Sequence, residues 1–281
     1  MGKNHLKSFK LKARILKYRT IWFGSGLLSR FLGKKLINHN YILPNEHLEN
    51  ILILAPHADD EWIGCSSALQ LSEKSTVYYF NFLGKNYSSA NEKTRLEEIK
   101  KLSKIFSFEL IISENREDYS DFQKLITDKN YSAIFIPFPL DWHPEHIKVN
   151  DITQEIISKS GKNFNLYFYH ISVPIPEVNI KYSYLPLSES EAKEKRKIFG
   201  ENYISQKNTS IRRLVLQNKI WAQGQKFYAA EMYARFQITE WKEFLIFVHK
   251  NYPAISKMIY HIDFPLRIRK LSNRIYKDFN Y

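Results

Sequence analysis

The chain predicts an α/β protein: a mostly parallel sheet with helices on both faces, a basic N-terminal arm and a helical C-terminal region. Three observations carry this expectation. From residue 50 onward, short apolar runs alternate with helical patterns, the order that builds parallel strands joined by crossover helices. The runs are almost continuously apolar, which suits strands buried on both faces. Finally, 281 residues with 44% hydrophobic and 15% aromatic content are enough for one sizeable α/β core.

Taken in order, residues 1–37 hold ten Lys or Arg and no acid. These bases interleave with Phe9, Leu11, Ile15, Tyr18, Ile21, Trp22, Leu27, Leu28, Phe31 and Leu32. Asn, His and Pro in the Asn38–Glu49 connector separate this arm from the core. Ile51–Ala55, Thr76–Leu83, Glu109–Ile112, Ala133–Phe138 and Leu166–Ile171 read as buried strands. Trp62–Glu73, Asn91–Phe106, Tyr119–Asp128 and Glu145–Lys159 read as the helices between them. Beyond residue 185 the pattern is helical, near Ser188–Asn202 and Ile211–Phe236, with no strand expected; Pro253 and Pro265 interrupt the last segment of the chain. The resulting division is an arm and connector over 1–49, a catalytic domain over 50–240 and a basic tail over 241–281.

The net charge of +13 is unevenly placed. Residues 38–241 hold 24 bases and 26 acids, whereas the two ends are basic. A nucleic-acid enzyme would carry positive charge around its centre, so nucleic acid is not the expected partner. The basic, aromatic-rich ends suit an anionic membrane surface, and equally a solvated helix packed on its own domain. The apolar run Ile21–Leu28 is broken by Gly24, Ser25 and Gly26 and is too short to span a bilayer, and no signal-peptide cleavage site is apparent. With one cysteine, Cys65, a reducing compartment is expected: the cytoplasm, with peripheral contact at the inner face of the membrane.

Two segments carry candidate chemistry. Pro56-His57-Ala58-Asp59-Asp60-Glu61 follows the first strand, and Asp141-Trp142-His143-Pro144-Glu145-His146 follows the fourth. In open parallel sheets both positions lie at the edge where ligands bind. His57, Asp60 and His146 can supply two imidazoles and a carboxylate, a three-ligand set that leaves a coordination position open, as catalytic zinc sites do. Asp59, aimed elsewhere, is free to act as general base toward the water that the metal activates. His143, one helical turn before His146, could steady an oxyanion or protonate a departing amine, and Asp141 could orient one of the rings. Helix capping accounts for Asp59, Asp60, Glu61 and Pro144-Glu145 taken singly. It does not account for three histidines at strand ends.

These residues resemble the PIG-L/LmbE-like N-acetylglucosaminyl deacetylases, through Ala-Pro-His-Ala-Asp-Asp-Glu after a strand and a later His-Pro-Glu-His. The resemblance implies a Rossmann-like fold and a divalent metal, zinc in most members, held by His57, Asp60 and His146. It further implies Asp59 as base, His143 at the oxyanion, and Arg95 of an Arg-x-x-Glu pair with Glu98 at the substrate. Tyr228-Ala229-Ala230-Glu231 resembles a further element toward the family's C-terminal end, so the likeness spans about residues 50–235. The family usually has Pro at Ala58, Asp at Glu145 and a Gly pair at Ser66-Ser67; none of these departures removes a ligand.

The activity expected is therefore hydrolysis of a linear amide: removal of acetyl from an N-acetylated amino sugar during surface polysaccharide or glycolipid biosynthesis. The sugar could be lipid-linked or nucleotide-linked. The ligand set also suits iron and other first-row ions. The alternative is a non-catalytic glycan- or membrane-binding relative.

Overall fold

The computed structural model describes residues 2–32, 41–82, 88–115, 117–177, 180–206 and 211–279, and within the first helix it describes side chains at 13 and 16–30. Phe9, Leu11, Ile15, Phe31 and Leu32 of the arm's apolar pattern, residues 38–40 of the connector and Leu83 fall outside these.

The elements run α1 (Gly2–Leu32), β1 (Asn50–Ala55), α2 (Asp60–Leu71), β2 (Lys74–Tyr79), α3 (Ser89–Phe106), β3 (Glu109–Ile112), α4 (Ser120–Asp128), β4 (Ala133–Pro137), α5 (Pro144–Ser160) and β5 (Asn165–Tyr169). They continue through β6 (Lys181–Leu187), α6 (Glu189–Asn202), α7 (Ile211–Trp221), β7 (Ala229–Arg235), α8 (Ile238–Ile255) and α9 (Pro265–Phe279). One seven-stranded sheet has the order β3-β2-β1-β4-β5-β7-β6. β1 to β5 are mutually parallel, and β7 pairs antiparallel with both β5 and β6. This is the α/β class the sequence predicts.

Strand periodicity sends alternate residues to opposite faces, and both faces are covered. Leu52, Leu54, Tyr78, Ile134, Ile136 and Phe168 meet side chains of α4, α5, α8 and α9. Ile51, Ile53, Val77, Tyr79, Phe135 and Tyr169 meet those of α2, α3 and α6. Local signals mark the helix ends. The Ser88 hydroxyl accepts from Asn91 N at α3, Pro144 opens α5, left-handed Gly161 closes it, and a Ser188–Glu191 capping box starts α6.

The C-terminal expectation needs correction. Residues 211–236 are not one helix: α7 ends at Trp221 and Ala229–Arg235 is a strand. Its sequence, Ala-Ala-Glu-Met-Tyr-Ala-Arg, favours a helix by propensity. Ala229 to Ala234 are nonetheless all buried, seated between β5 and β6, so tertiary pairing overrides local preference. β6 is a second strand not expected near residue 185. It lies at the sheet edge, where Pro186 costs no ladder bond on the open side.

The basic ends form helices. α9 begins at Pro265 and buries Ile268 and Tyr276 in the same core as Leu52. α1 docks on this region: Trp22 Nε1 donates to the Asp263 carbonyl at 3.1 Å, and the Gln223 side chain meets the Ser29 hydroxyl at 2.5 Å. Leu16, Phe23, Leu27 and Leu28 of α1 remain exposed. Among the described residues no helix is long and apolar enough to cross a membrane.

Candidate metal centre

β1 and β4 are neighbours, yet the chain reaches them by running to β2 and β3 on one side before returning to β4 on the other. The crevice beyond their carboxyl ends is therefore the switch point of the sheet. The 56–60 turn leaves β1 there, and the 138–146 segment leaves β4.

The first turn is tightly specified. Asp59 has φ 134°, a left-handed conformation that costs a non-glycine residue free energy. Its backbone N–H donates to Glu61 Oε2 at 3.1 Å, and Tyr203 donates its hydroxyl to the other oxygen of Glu61. Although Asp59 stands at the N-cap of α2, its side chain makes no capping bond. Asp60 instead turns back, its Oδ2 accepting from the His57 backbone N–H at 2.9 Å. Gly64 allows α2 to lie against β5, since a Cβ there would come within 2.0 Å of the Tyr169 ring.

Three donor atoms converge. His57 Nδ1 lies 3.1 Å from Asp60 Oδ2, His146 Nε2 lies 3.3 Å from His57 Nδ1, and His146 Nε2 lies 3.5 Å from Asp60 Oδ2. A tetrahedral zinc with ligands at about 2.0–2.2 Å requires donor separations of about 3.3–3.6 Å. The two edges from His146 fall in that range and the His57–Asp60 edge of 3.1 Å lies just below it, so the three atoms can supply three corners and leave one open. The outward nitrogens of both rings meet carboxylates: His57 Nε2 is 2.7 Å from Glu145 Oε2, and His146 Nδ1 is 3.2 Å from Asp141 Oδ2. Metal-binding histidines carry such partners, which fix the tautomer and turn the other nitrogen toward the ion. His57, His143 and His146 also present one nitrogen each within 4.8 Å of one another. The set completed by Asp60 is the tighter of the two and carries a compensating negative charge.

Electrostatics fit a cation at the same place. Burial opposes ionisation of Asp60, yet His146 and His57 hold its carboxyl far below the usual range. Burial likewise disfavours a charged His146, but Asp141 and Asp60 push it up to about 10. For His57, burial is outweighed mainly by Asp60, and its pKa rises. Buried acids thus demand positive charge at the two rings, and a divalent ion would supply it with both rings neutral. Asp59 is driven well above the ordinary carboxylate range by burial, then by Asp60 and Glu61. His143 is pushed down to about 3 by burial and by its positive neighbours His146 and His57. Asp141 binds the loop together, accepting from His143 N at 2.9 Å.

All seven residues expected at the site are therefore brought to one region. His57, Asp59, Asp60, Arg95, His143 and His146 line a cavity of about 180 Å³, and Asp141 lies buried behind His146. With its amide oxygen facing the guanidinium, Gln206 accepts from Arg95 Nε and Nη2 at 3.2 Å. Glu98 holds the 204–206 turn by accepting from Ser205 N at 2.7 Å and from its hydroxyl. Sequence reasoning missed Glu145, Glu61, Gln206 and Arg213. Glu145 reads locally as an ordinary helix start and Glu61 as a first-turn acid, while Gln206 and Arg213 lie in segments with no motif. Glu231 is buried beside α2 and accepts from Ser66 Oγ, Ser67 N, Lys195 Nζ and Tyr233 Oη at 2.5–2.9 Å. Ser66 and Ser67 thus tie α2 to β7.

No protein-family model matches the chain, and no curated protein matches it. Among solved structures, the A40926 pseudoaglycone deacetylase is similar at a TM-score of 0.50 and 14% identity, over 67% of this chain and 97% of that one. A triple mutant of a deacetylase from the teicoplanin biosynthetic pathway matches at 0.50 and 14%, over 66% and 97%. A further deacetylase complex from teicoplanin biosynthesis matches at 0.50 and 11%, over 66% and 97%. At such identities the likeness is one of fold, and in that fold the chain is similar to deacetylases.

Proposed function

We propose that this chain is a metal-dependent hydrolase that removes acetyl from an N-acetylated amino sugar, as a member of the PIG-L/LmbE-like group. The observation that carries the reading is the triangle of His57 Nδ1, Asp60 Oδ2 and His146 Nε2, with edges of 3.1–3.5 Å. Structural neighbours that are themselves deacetylases add support from the fold.

His57, Asp60 and His146 would hold the ion, which when bound supplies a Lewis acid that polarises an amide carbonyl and makes water more acidic. The remaining steps belong to the chain. Asp59, whose basicity is raised by burial and by Asp60 and Glu61, accepts the proton of the attacking water and delivers it to the leaving nitrogen. Glu61 is a positioning residue, since its bond to the Asp59 backbone sustains the left-handed turn. His143, whose basicity is lowered by burial and by His146 and His57, works as a neutral ring and donates an N–H to the developing oxyanion. Asp141 and Glu145 orient the ligand rings, and Arg95, backed by Gln206, binds the sugar. Zinc is the first candidate for the ion; the donor set also accepts iron.

A lipid carrier for the sugar is supported by α1, which is basic and exposes Leu16, Phe23, Leu27 and Leu28. Membrane association at an inner leaflet and a role in surface glycan biosynthesis follow from that reading. Sedimentation with anionic liposomes at low salt tests it: loss of binding on deletion of residues 1–32 supports it, and unchanged binding removes it. Acetate release from a panel of N-acetyl sugars by zinc-loaded protein tests the hydrolase reading. Asp59→Asn should lose turnover by at least about 100-fold, the scale of general-base catalysis, while retaining metal. Full activity in that variant would overturn the mechanism.

A further inference from the structure

Three Lys or Arg side chains are buried among the described residues: Lys195, Arg213 and Arg269. Lys195 is paired with Glu231 and Arg269 with Glu177. Arg213 is different. At 6% exposure it has no carboxylate at ion-pair distance among the described residues, and its hydrogen bond runs from Nη1 to the Ile262 carbonyl at 2.9 Å. The acids whose fields reach it are Asp263 and Asp141, and burial draws its basicity down.

Arg213 also lines the cavity that holds His57, Asp59, Asp60 and His146. A buried guanidinium without a carboxylate at ion-pair distance is costly, and a single carbonyl bond needs no cation. Arginine is suited to planar, bidentate binding of phosphate or carboxylate. Arg95, half-buried on the same cavity, is a second guanidinium with no ion-pair partner among the described residues.

We infer that the cavity is built for a substrate bearing an oxyanion, a phosphate or a carboxylate on the amino sugar, and that Arg213 is the residue that binds it. The inference rests on the hydrolase reading for the sugar, and on the unpaired buried cation for the charge. It assigns a specificity-determining role to a residue outside both metal-binding loops. The directly paired carboxylate that the fold supplies to Lys195 and Arg269 has, at Arg213, its counterpart in the ligand.

The test is calorimetric titration of the zinc-loaded full chain, at about pH 9 where the sugar amines are unprotonated, with three amino sugars: glucosamine 1-phosphate, the corresponding uronic acid, and neutral methyl glucosaminide. At least one charged sugar should bind roughly 10- to 100-fold more tightly than the neutral one, the scale of a charge-assisted hydrogen bond. Which of the two binds tighter identifies phosphate or carboxylate as the group. Arg213→Gln should bring the charged-to-neutral ratio close to one, and Arg213→Lys should keep part of it. Equal binding of all three by the wild type, or no binding of either charged sugar, overturns the inference whether or not the variants fold. A ratio that survives Arg213→Gln in a folded protein overturns the assignment to Arg213. If the charged sugars bind preferentially but no N-acetyl form releases acetate, the hydrolase reading fails and the anion site stands.

Discussion

Glu231→Gln removes one charge while keeping the shape of the side chain, and the cost can be worked from the contacts. The carboxylate is 1% exposed and accepts four hydrogen bonds, from Ser66 Oγ at 2.6 Å, Ser67 N at 2.9 Å, Lys195 Nζ at 2.5 Å and Tyr233 Oη at 2.8 Å. An amide in that place turns an N–H toward groups that are themselves donors. It also leaves Lys195, 1% exposed, without its counter-charge. Breaking one side of a buried pair costs about 3–5 kcal/mol. At about 2–4 °C per kcal/mol for a protein of this size class, Tm should fall by roughly 6–20 °C. The loss reaches the site, because Ser66 and Ser67 follow the non-helical Cys65 in the helix that begins at Asp60. Thermal and urea denaturation of both proteins measure the effect. Lys195→Met combined with Glu231→Gln should recover part of it, since the uncompensated buried charge is then gone while the amide oxygen still accepts from the neighbouring donors. A loss below about 1 kcal/mol for Glu231→Gln alone, or no recovery in the double variant, would refute the reasoning.

Other expectations are equally specific. Gly64→Ala drives a methyl into the buried Tyr169 ring, whose hydroxyl is held by the Leu54 carbonyl at 2.6 Å; a destabilisation of about 1–3 kcal/mol is expected by denaturation, and a neutral result would refute the close contact. Asp141→Asn should weaken zinc affinity by about 10- to 100-fold in a competition titration while the fold persists, because the His146 ring loses its orienting carboxylate. His170 is buried against Trp221 and its pKa lies well below the ordinary value, chiefly through desolvation. The unfolded chain therefore gains a proton below about pH 6.5 that the folded chain refuses, and stability falls as pH falls. Between pH 6.5 and 5.5 this contributes a loss of roughly 1 kcal/mol, which should be missing from the pH slope of His170→Phe.

The strands β1, β2, β4 and β5 are legible in the sequence because they are buried on both faces and so read as apolar runs, whereas β3, a half-exposed edge strand, is legible from Leu110, Ile111 and Ile112 alone. β7 is not legible: its residues favour a helix, and its Glu231 looks like a surface acid. Only Lys195, Ser66, Ser67 and Tyr233, distant in the chain or hidden by the strand's geometry, reveal why that carboxylate is inside. The candidate site shows the same division. His57, Asp60 and His146 can be grouped from sequence since each follows a strand in a motif with unusual histidine content. Glu145 and Glu61 act through bonds that local patterns explain equally well as helix starts. Arg213 sits in a segment with no motif, and its meaning comes from burial with no carboxylate at ion-pair distance among the described residues, a property of the folded state alone.

Every catalytic role proposed for this chain depends on one divalent ion, which His57, Asp60 and His146 would hold. Zinc titration of the metal-stripped full chain, with stoichiometry from elemental analysis, should give one ion per chain, and His57→Ala or His146→Ala should weaken that binding by orders of magnitude. Negligible zinc in the wild type, or unchanged affinity in both variants, would contradict it.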